Sequence, residues 1–165
     1  QPRDAIIATK WWPIGRRASS IKGTINMRLA NLGGYPIALH QIHNPLGFSS
    51  VEKEMYAMAD LIEDGRIKYI GVSNFNADRM RRASEALERR GHKLVSNQVV
   101  YSILNRKIES NGTMETAREL GVTIIAYSPL AQGLLSGKFH ENRELIKTRV
   151  GSRKHMNKFK KEGLK

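Results

Sequence analysis

The residues of this chain that could carry chemistry recur at one kind of place. Lys10 follows Ala5–Thr9, His43 follows Ile37–Ile42, and Ser73-Asn74 follows Ile67–Val72. Gln98 follows Leu94–Asn97, and Tyr127 follows Val122–Ala126. Each preceding run is short, apolar and rich in Ile or Val. Lys, His and Tyr can hold or move a proton, and Ser, Asn and Gln can fix a ligand by hydrogen bonds. Singly, each has a plain structural use: a solvated charge, a hydrogen-bonded core His, a helix cap. Delivered to one rim by five successive units, they point to a shared site. The chain has no Cys, which excludes a thiol nucleophile, thiolate metal ligands and a disulfide scaffold. No metal site is predicted.

The elements that must position these residues are legible as a rhythm. The apolar runs begin near Ala5, Ile37, Ile67, Leu94 and Val122, at offsets of 32, 30, 27 and 28 residues. They do not alternate, so they read as strands buried on both faces. Between them run helical stripes: Ile21, Ile25, Leu29 and Leu32; Val51, Met55, Met58 and Ile62; Met80, Ala83 and Leu87; Met114, Ala117 and Leu120. Ser49-Ser50-Val51-Glu52 has the pattern of a capping box. Gly34, Gly65, Gly91 and Gly121 each stand where a left-handed residue ends a helix. Alternating β and α units imply a parallel sheet with right-handed crossovers. A five-stranded doubly wound sheet and part of a (β/α)8 barrel both fit, and both place sites at the carboxyl ends of the strands.

The 165 residues suit one domain, and 40% of them are hydrophobic, so the chain is not disordered. No apolar run approaches the ~20 residues that span a bilayer. The chain opens on Gln1 with no secretory pattern after it, and a cytoplasmic location with further sequence upstream is expected. The net charge is +13, and the stretch 143–165 carries nine Lys/Arg against two acids. Such a tail could meet an anion, but Phe159 is its only aromatic, and no nucleic-acid partner is expected. The loop Ala131-Gln132-Gly133-Leu134-Leu135-Ser136-Gly137 could bring backbone N–H groups to a phosphate. It is neither a dinucleotide fingerprint nor a Walker A loop.

Five segments together resemble the aldo-keto reductases. They are Ile7-Ala8-Thr9-Lys10, Gln41-Ile42-His43-Asn44-Pro45, Gly65 to Phe75 with its Gly-Val-Ser-Asn-Phe, Asn97 to Ser102, and Ala126-Tyr127-Ser128-Pro129-Leu130-Ala131-Gln132-Gly133. They follow family order to about Phe139. The resemblance implies a partial (β/α)8 TIM barrel, about strands three to seven with their helices. On this reading residues 1–165 are a single incomplete barrel domain with a basic segment at about 143–165.

The resemblance also implies roles. Lys10 and His43 match catalytic positions: a Lys that favours a phenolate, and a His that orients the carbonyl. Ser73, Asn74 and Gln98 resemble residues that bind the nicotinamide carboxamide, and Tyr127 the ring that stacks on it. Ser128, Leu130, Gln132 and Gly133 resemble the loop that approaches the pyrophosphate. Trp11 and Trp12 are expected to wall the substrate. NADPH is the expected cofactor, with NADH as the alternative, and a small aldehyde or ketone the substrate. The family's Asp and Tyr normally lie before Lys10. Asp4 sits at the wrong end of its strand and Tyr35 at the opposite rim. This chain is therefore expected to lack the main proton donor and to be inactive alone, and to self-associate through open barrel edges. A non-catalytic nucleotide-binding regulatory subunit is the alternative.

Overall fold

The Ile- and Val-rich runs form β1 (Ile7–Trp11), β2 (Ile37–Ile42), β3 (Ile67–Ser73), β4 (Leu94–Val100) and β5 (Thr123–Tyr127). In the computed structural model they pair in sequence order, each parallel to the next. The structure describes residues 5–146; Asp4 and the basic positions from 147 onward lie outside them. The crossovers hold α1 (Ser19–Asn31), α2 (Val51–Glu63), α3 (Ala77–Glu88) and α4 (Thr113–Glu119), and α5 (Lys138–Glu141) follows β5. This is a run of neighbouring (β/α) staves. Strands in strict sequence order match the barrel; a doubly wound sheet reverses its order partway.

Local chemistry sets the boundaries. Ser50 caps α2 by accepting the backbone N–H of Lys53, and Asn76 caps α3 by accepting that of Arg79. The expected capping box is thus displaced by one residue. Ser49 instead accepts the N–H of Ala18 at 2.9 Å, tying this helix start to the loop after β1. Gly65, at φ +66°, ends α2: its N–H reaches the Ile62 carbonyl and the Arg66 N–H reaches that of Leu61. Those two bonds make a Schellman close, which needs a left-handed residue at this point.

The core lies between the outer sheet face and the helices. Trp11, Ile42, Ile70 and Val72 pack there with Ile21 and Ile25 of α1, Met55 and Met58 of α2, and Met80 and Leu87 of α3. Each such side chain contributes roughly 1.5–3 kcal/mol by leaving water. The inner face differs. Tyr69 on it is 46% exposed, and none of the five residues of β5 is fully buried. Burial on both faces, expected from the unbroken apolar runs, holds at Gln41, Ser73 and Ser96 of the inner strands and fails at Tyr69 and along β5. β1 and β5 are the sheet's edges.

Candidate functional site

The floor of the inner face is one level of the sheet. Lys10, Gln41, Gly71, Ser96 and Thr123 stand in register across β1 to β5. Gly71 leaves a gap over β3. A Cβ there would sit 2.3 Å from the Ser96 hydroxyl and 3.0 Å from Cγ of Gln41. Through that gap the Gln41 Nε2 reaches the Ser96 Oγ at 3.4 Å and the Val72 carbonyl at 3.3 Å. Lys10 lies inside β1, because the strand runs on to Trp11, two residues past the end of the apolar run. Its carbonyl accepts from Arg28 of α1 at 3.2 Å.

The two tryptophans part company. Successive strand residues face opposite ways. Trp11 points to the helix side, is fully buried, and donates from its indole N–H to Ser20 at 3.0 Å. It is a core residue, so the expected pair of wall residues reduces to Trp12. Trp12 is 44% exposed and meets the His43 ring edge-on, with centroids 4.9 Å apart.

Above this floor the rim side chains join. The Tyr127 hydroxyl donates to the Asn74 Oδ1 at 3.0 Å. The Asn74 amide donates to the Ser73 Oγ at 3.0 Å and to the His43 carbonyl at 3.4 Å. Ser73 donates its hydroxyl proton to the Gln98 carbonyl at 2.7 Å. Burial lowers the pKa of His43, and the nearby Lys10 charge lowers it further. The imidazole is therefore neutral at neutral pH, with one N–H to donate. Lys10, Trp12, His43, Ser73, Asn74, Gln98 and Tyr127 thus form one neighbourhood. Tyr35 lies between α1 and β2, at the other end of the sheet, and the Tyr101 hydroxyl is engaged with Glu109 at 2.6 Å.

The loop after β5 is the most contorted stretch. Ser128, Ala131 and Gln132 hold φ of 55°, 48° and 62°, followed by Gly133 at 97°. With Asn74 at 60°, these are the non-glycine residues at positive φ among the described residues. Each costs of order 1–3 kcal/mol, and such strain gathers where function fixes the backbone. Leu130 is exposed at the loop's tip, while the Oε1 of Gln132 is shielded and has no hydrogen-bond partner.

Sequence reasoning passed over several supporting residues. Asn97, fully buried, accepts the Phe75 N–H at 3.4 Å and donates to the Phe75 carbonyl at 2.9 Å, bracing the loop that carries Ser73 and Asn74. His40 is buried beneath the site, 2.7 Å from the Thr9 hydroxyl. Glu54 and Arg79 lie under the loop that follows His43. A polar residue inside an apolar run was the available signal for Asn97 and His40. Among the described residues no group of three His, Cys, Asp or Glu could hold a metal ion, and no helix is long and apolar enough to cross a membrane.

Comparison with known proteins meets this geometry. The model of the aldo/keto reductase family matches residues 1–163. Aldo-keto reductase str7 of Strobilurus tenacellus is 37% identical over 142 residues, which cover 82% of this chain and 41% of that protein. Aldo-keto reductase yakc [NADP(+)] of Schizosaccharomyces pombe is 34% identical over 121 residues, covering 72% of this chain and 34% of that one. The glycerol dehydrogenase of Gluconobacter oxydans superposes with a TM-score of 0.81 at 26% identity, over 99% of this chain and 51% of its own. The chain spans less than half the length of the curated relatives it matches. Its five parallel staves are part of a TIM barrel, and the chain belongs to the aldo/keto reductase family of NAD(P)H-dependent oxidoreductases.

Proposed function

We propose that this chain holds the nicotinamide end of NADPH and presents a small aldehyde or ketone to it for reduction. The reading is carried by the bonds that tie Tyr127 to Asn74 and Asn74 to the main-chain carbonyl of His43, with the Lys10 charge acting on the His43 ring, at the strands' carboxyl ends. The bound cofactor would supply a hydride to the carbonyl carbon. Orientation and charge stabilisation fall to side chains of this chain. The proton that completes the alcohol would come from the family's Tyr, which this chain lacks, so the chain alone is read as inactive.

Tyr127 offers a ring face for the nicotinamide, fixed in place by its bond to Asn74. Ser73, Asn74 and Gln98 are the amide-and-hydroxyl set for the carboxamide. Neutral His43 donates an N–H to the carbonyl oxygen and orients it, and the Lys10 charge would favour the phenolate of that Tyr. Trp12 walls the substrate beside His43. Two observations fit a dinucleotide in the next loop. The left-handed run at 131–133 bends the backbone into a concave turn suited to a pyrophosphate. The unpartnered Gln132 oxygen asks for a donor such as a ribose hydroxyl. Ser128 and Leu130 complete that loop. NADPH is preferred to NADH because the Schizosaccharomyces pombe relative is named for NADP(+). Residues 1–165 are read as one incomplete barrel domain ending in a basic segment, and the open edges β1 and β5 as surfaces for self-association.

Titration of NADPH with the purified chain, followed by nicotinamide fluorescence, tests the reading. Saturable quenching is expected, weakened at least about tenfold in Tyr127→Ala by loss of stacking worth ~1.5 kcal/mol. Absence of quenching by the unmutated chain would overturn it, and tighter binding of NADH would overturn the choice of cofactor.

A further inference from the structure

The loop from β2 to α2 begins at His43 and is held from beneath by two groups that the proposed reaction does not use. Arg79 of α3 donates from Nη1 to the carbonyl of Pro45, two residues after His43. Glu54 of α2 is 2% exposed, and its Oε1 has no hydrogen-bond partner. That oxygen lies directly under the loop: a Cβ added at Gly47 would sit 2.1 Å from it. Glycine is what permits so close an approach. A recess of about 130 Å³ separates these groups, lined by Pro45, Gly47, Ser49, Glu54, Arg79 and Arg82.

Charged side chains line the recess around Glu54. From α3 come Arg79 and Arg82, and Arg82 is already paired with Glu52 at 2.9 Å and with Asp78 at 3.9 Å. From α2 comes Glu52 itself. The loop after β1 brings the apolar Pro13 against Gly47. Burial pushes the Glu54 carboxyl up to about 7, against the weaker opposite pull of Arg79. A neutral carboxyl tolerates an unpartnered oxygen far better than a carboxylate does.

We propose that Arg79 and Glu54 are positioning residues for His43: Arg79 clamps the Pro45 carbonyl, neutral Glu54 packs under Gly47, and ionisation of Glu54 draws Arg79 off the loop and frees the imidazole. This rests on the reading of His43 as the group that faces the substrate. The clamp acts through the backbone and touches no reacting atom.

The test follows the ring resonances of His43 by NMR across pH in the full chain without cofactor, assigned among the five histidines with His43→Gln. Unmutated protein should show His43 titrating below 6.5, with a second inflection near the Glu54 value of about 7. Glu54→Gln should remove the second inflection and keep the first. Arg79→Ala should raise the His43 midpoint by about half a unit as the loop opens and the ring regains water. Arg79→Lys, which keeps a donor, should restore much of the difference. Circular dichroism melts confirm that each variant is folded, and the two conservative variants decide the matter if Arg79→Ala is not. Titration curves in folded Glu54→Gln and Arg79→Lys identical to the unmutated chain, with no inflection near 7 in any, would overturn the proposal. Failure of the functional reading looks different: NADPH would not bind, while the His43 curves would still respond to these variants.

Discussion

The hydroxyl of Tyr127 donates to the Oδ1 of Asn74 at 3.0 Å, joining the end of β5 to the loop after β3 over the intervening β4. Asn74 has four such ties. Its N–H reaches the Gln98 carbonyl at 2.9 Å, and its amide reaches Ser73 and the His43 carbonyl. One side chain and its backbone therefore link β2, β3, β4 and β5. Asn suits the place because it adopts the left-handed φ of 60° at less cost than most residues.

Breaking this tie while keeping the ring separates orientation from stacking. Tyr127→Phe is expected to weaken NADPH about three- to tenfold, less than Tyr127→Ala, in fluorescence titration. Asn74→Ala should show a coupling of about 1 kcal/mol with Tyr127→Phe in a double-mutant cycle. Additive effects would mean that the bond does not organise the site.

Gly71 is the gap through which Gln41 meets Ser96. Gly71→Ala places a Cβ 2.3 Å from the Ser96 hydroxyl and 3.2 Å from the Leu39 Cδ1. The chain should lose about 1–3 kcal/mol of stability in urea unfolding, the usual cost of overpacking. Ser96→Ala in the same background removes the nearest atom and should recover part of the loss.

Asn97 braces the Ser73–Phe75 loop from inside. Asn97→Leu leaves both polar groups of the Phe75 backbone without this partner, and each buried orphan costs about 1–3 kcal/mol. Urea unfolding should show the loss. Hydrogen exchange should show faster exchange at Asn74 and Phe75 than in the unmutated chain, with β1 unaffected.

Two buried groups give the stability opposite pH slopes. Burial lowers His40 from 6.5 to about 4, with the Arg28 charge adding to it. The unfolded chain then binds the extra proton between those values. His40 therefore destabilises progressively as pH falls from about 6.5 to about 4. Glu54 is raised from 4.5 to about 7, so its contribution is fully present below 4.5 and is lost as pH rises through about 7. Each shift corresponds to roughly 3 kcal/mol at most. Between about 4.5 and 6.5 the two slopes oppose, and a nearly flat profile is expected in this window. Glu54→Gln should expose a rise in stability with pH there, and His40→Gln a fall. Urea midpoints at pH 4.5, 5.5, 6.5 and 7.5 would show this, and parallel profiles for both variants would refute it.

Much of this architecture was readable in the residue order. Apolar runs about 30 residues apart, separated by helical stripes, could only be parallel strands with crossovers, because period and spacing fix element type and handedness. The rule that ligands meet strand carboxyl ends then gathered Lys10, His43, Ser73, Asn74, Gln98 and Tyr127 without coordinates. Which of two adjacent tryptophans faces the site was not readable. A strand's faces alternate, and the β1 boundary moved by two residues, so Trp11 went to the core and Trp12 to the rim. The capping serine was misplaced for a similar reason: Ser49 had a better partner in a loop distant in sequence.

Sequence periodicity alone determined that five like units lie side by side and which end of each carries the polar residues, since both follow from local spacing. Tertiary structure alone decided that Gln41 reaches Ser96 through the gap at Gly71, and that Glu54 is sealed under Gly47. Those contacts join residues far apart in the chain, and their distances, burial and proton affinities exist only once the sheet and helices have closed around them.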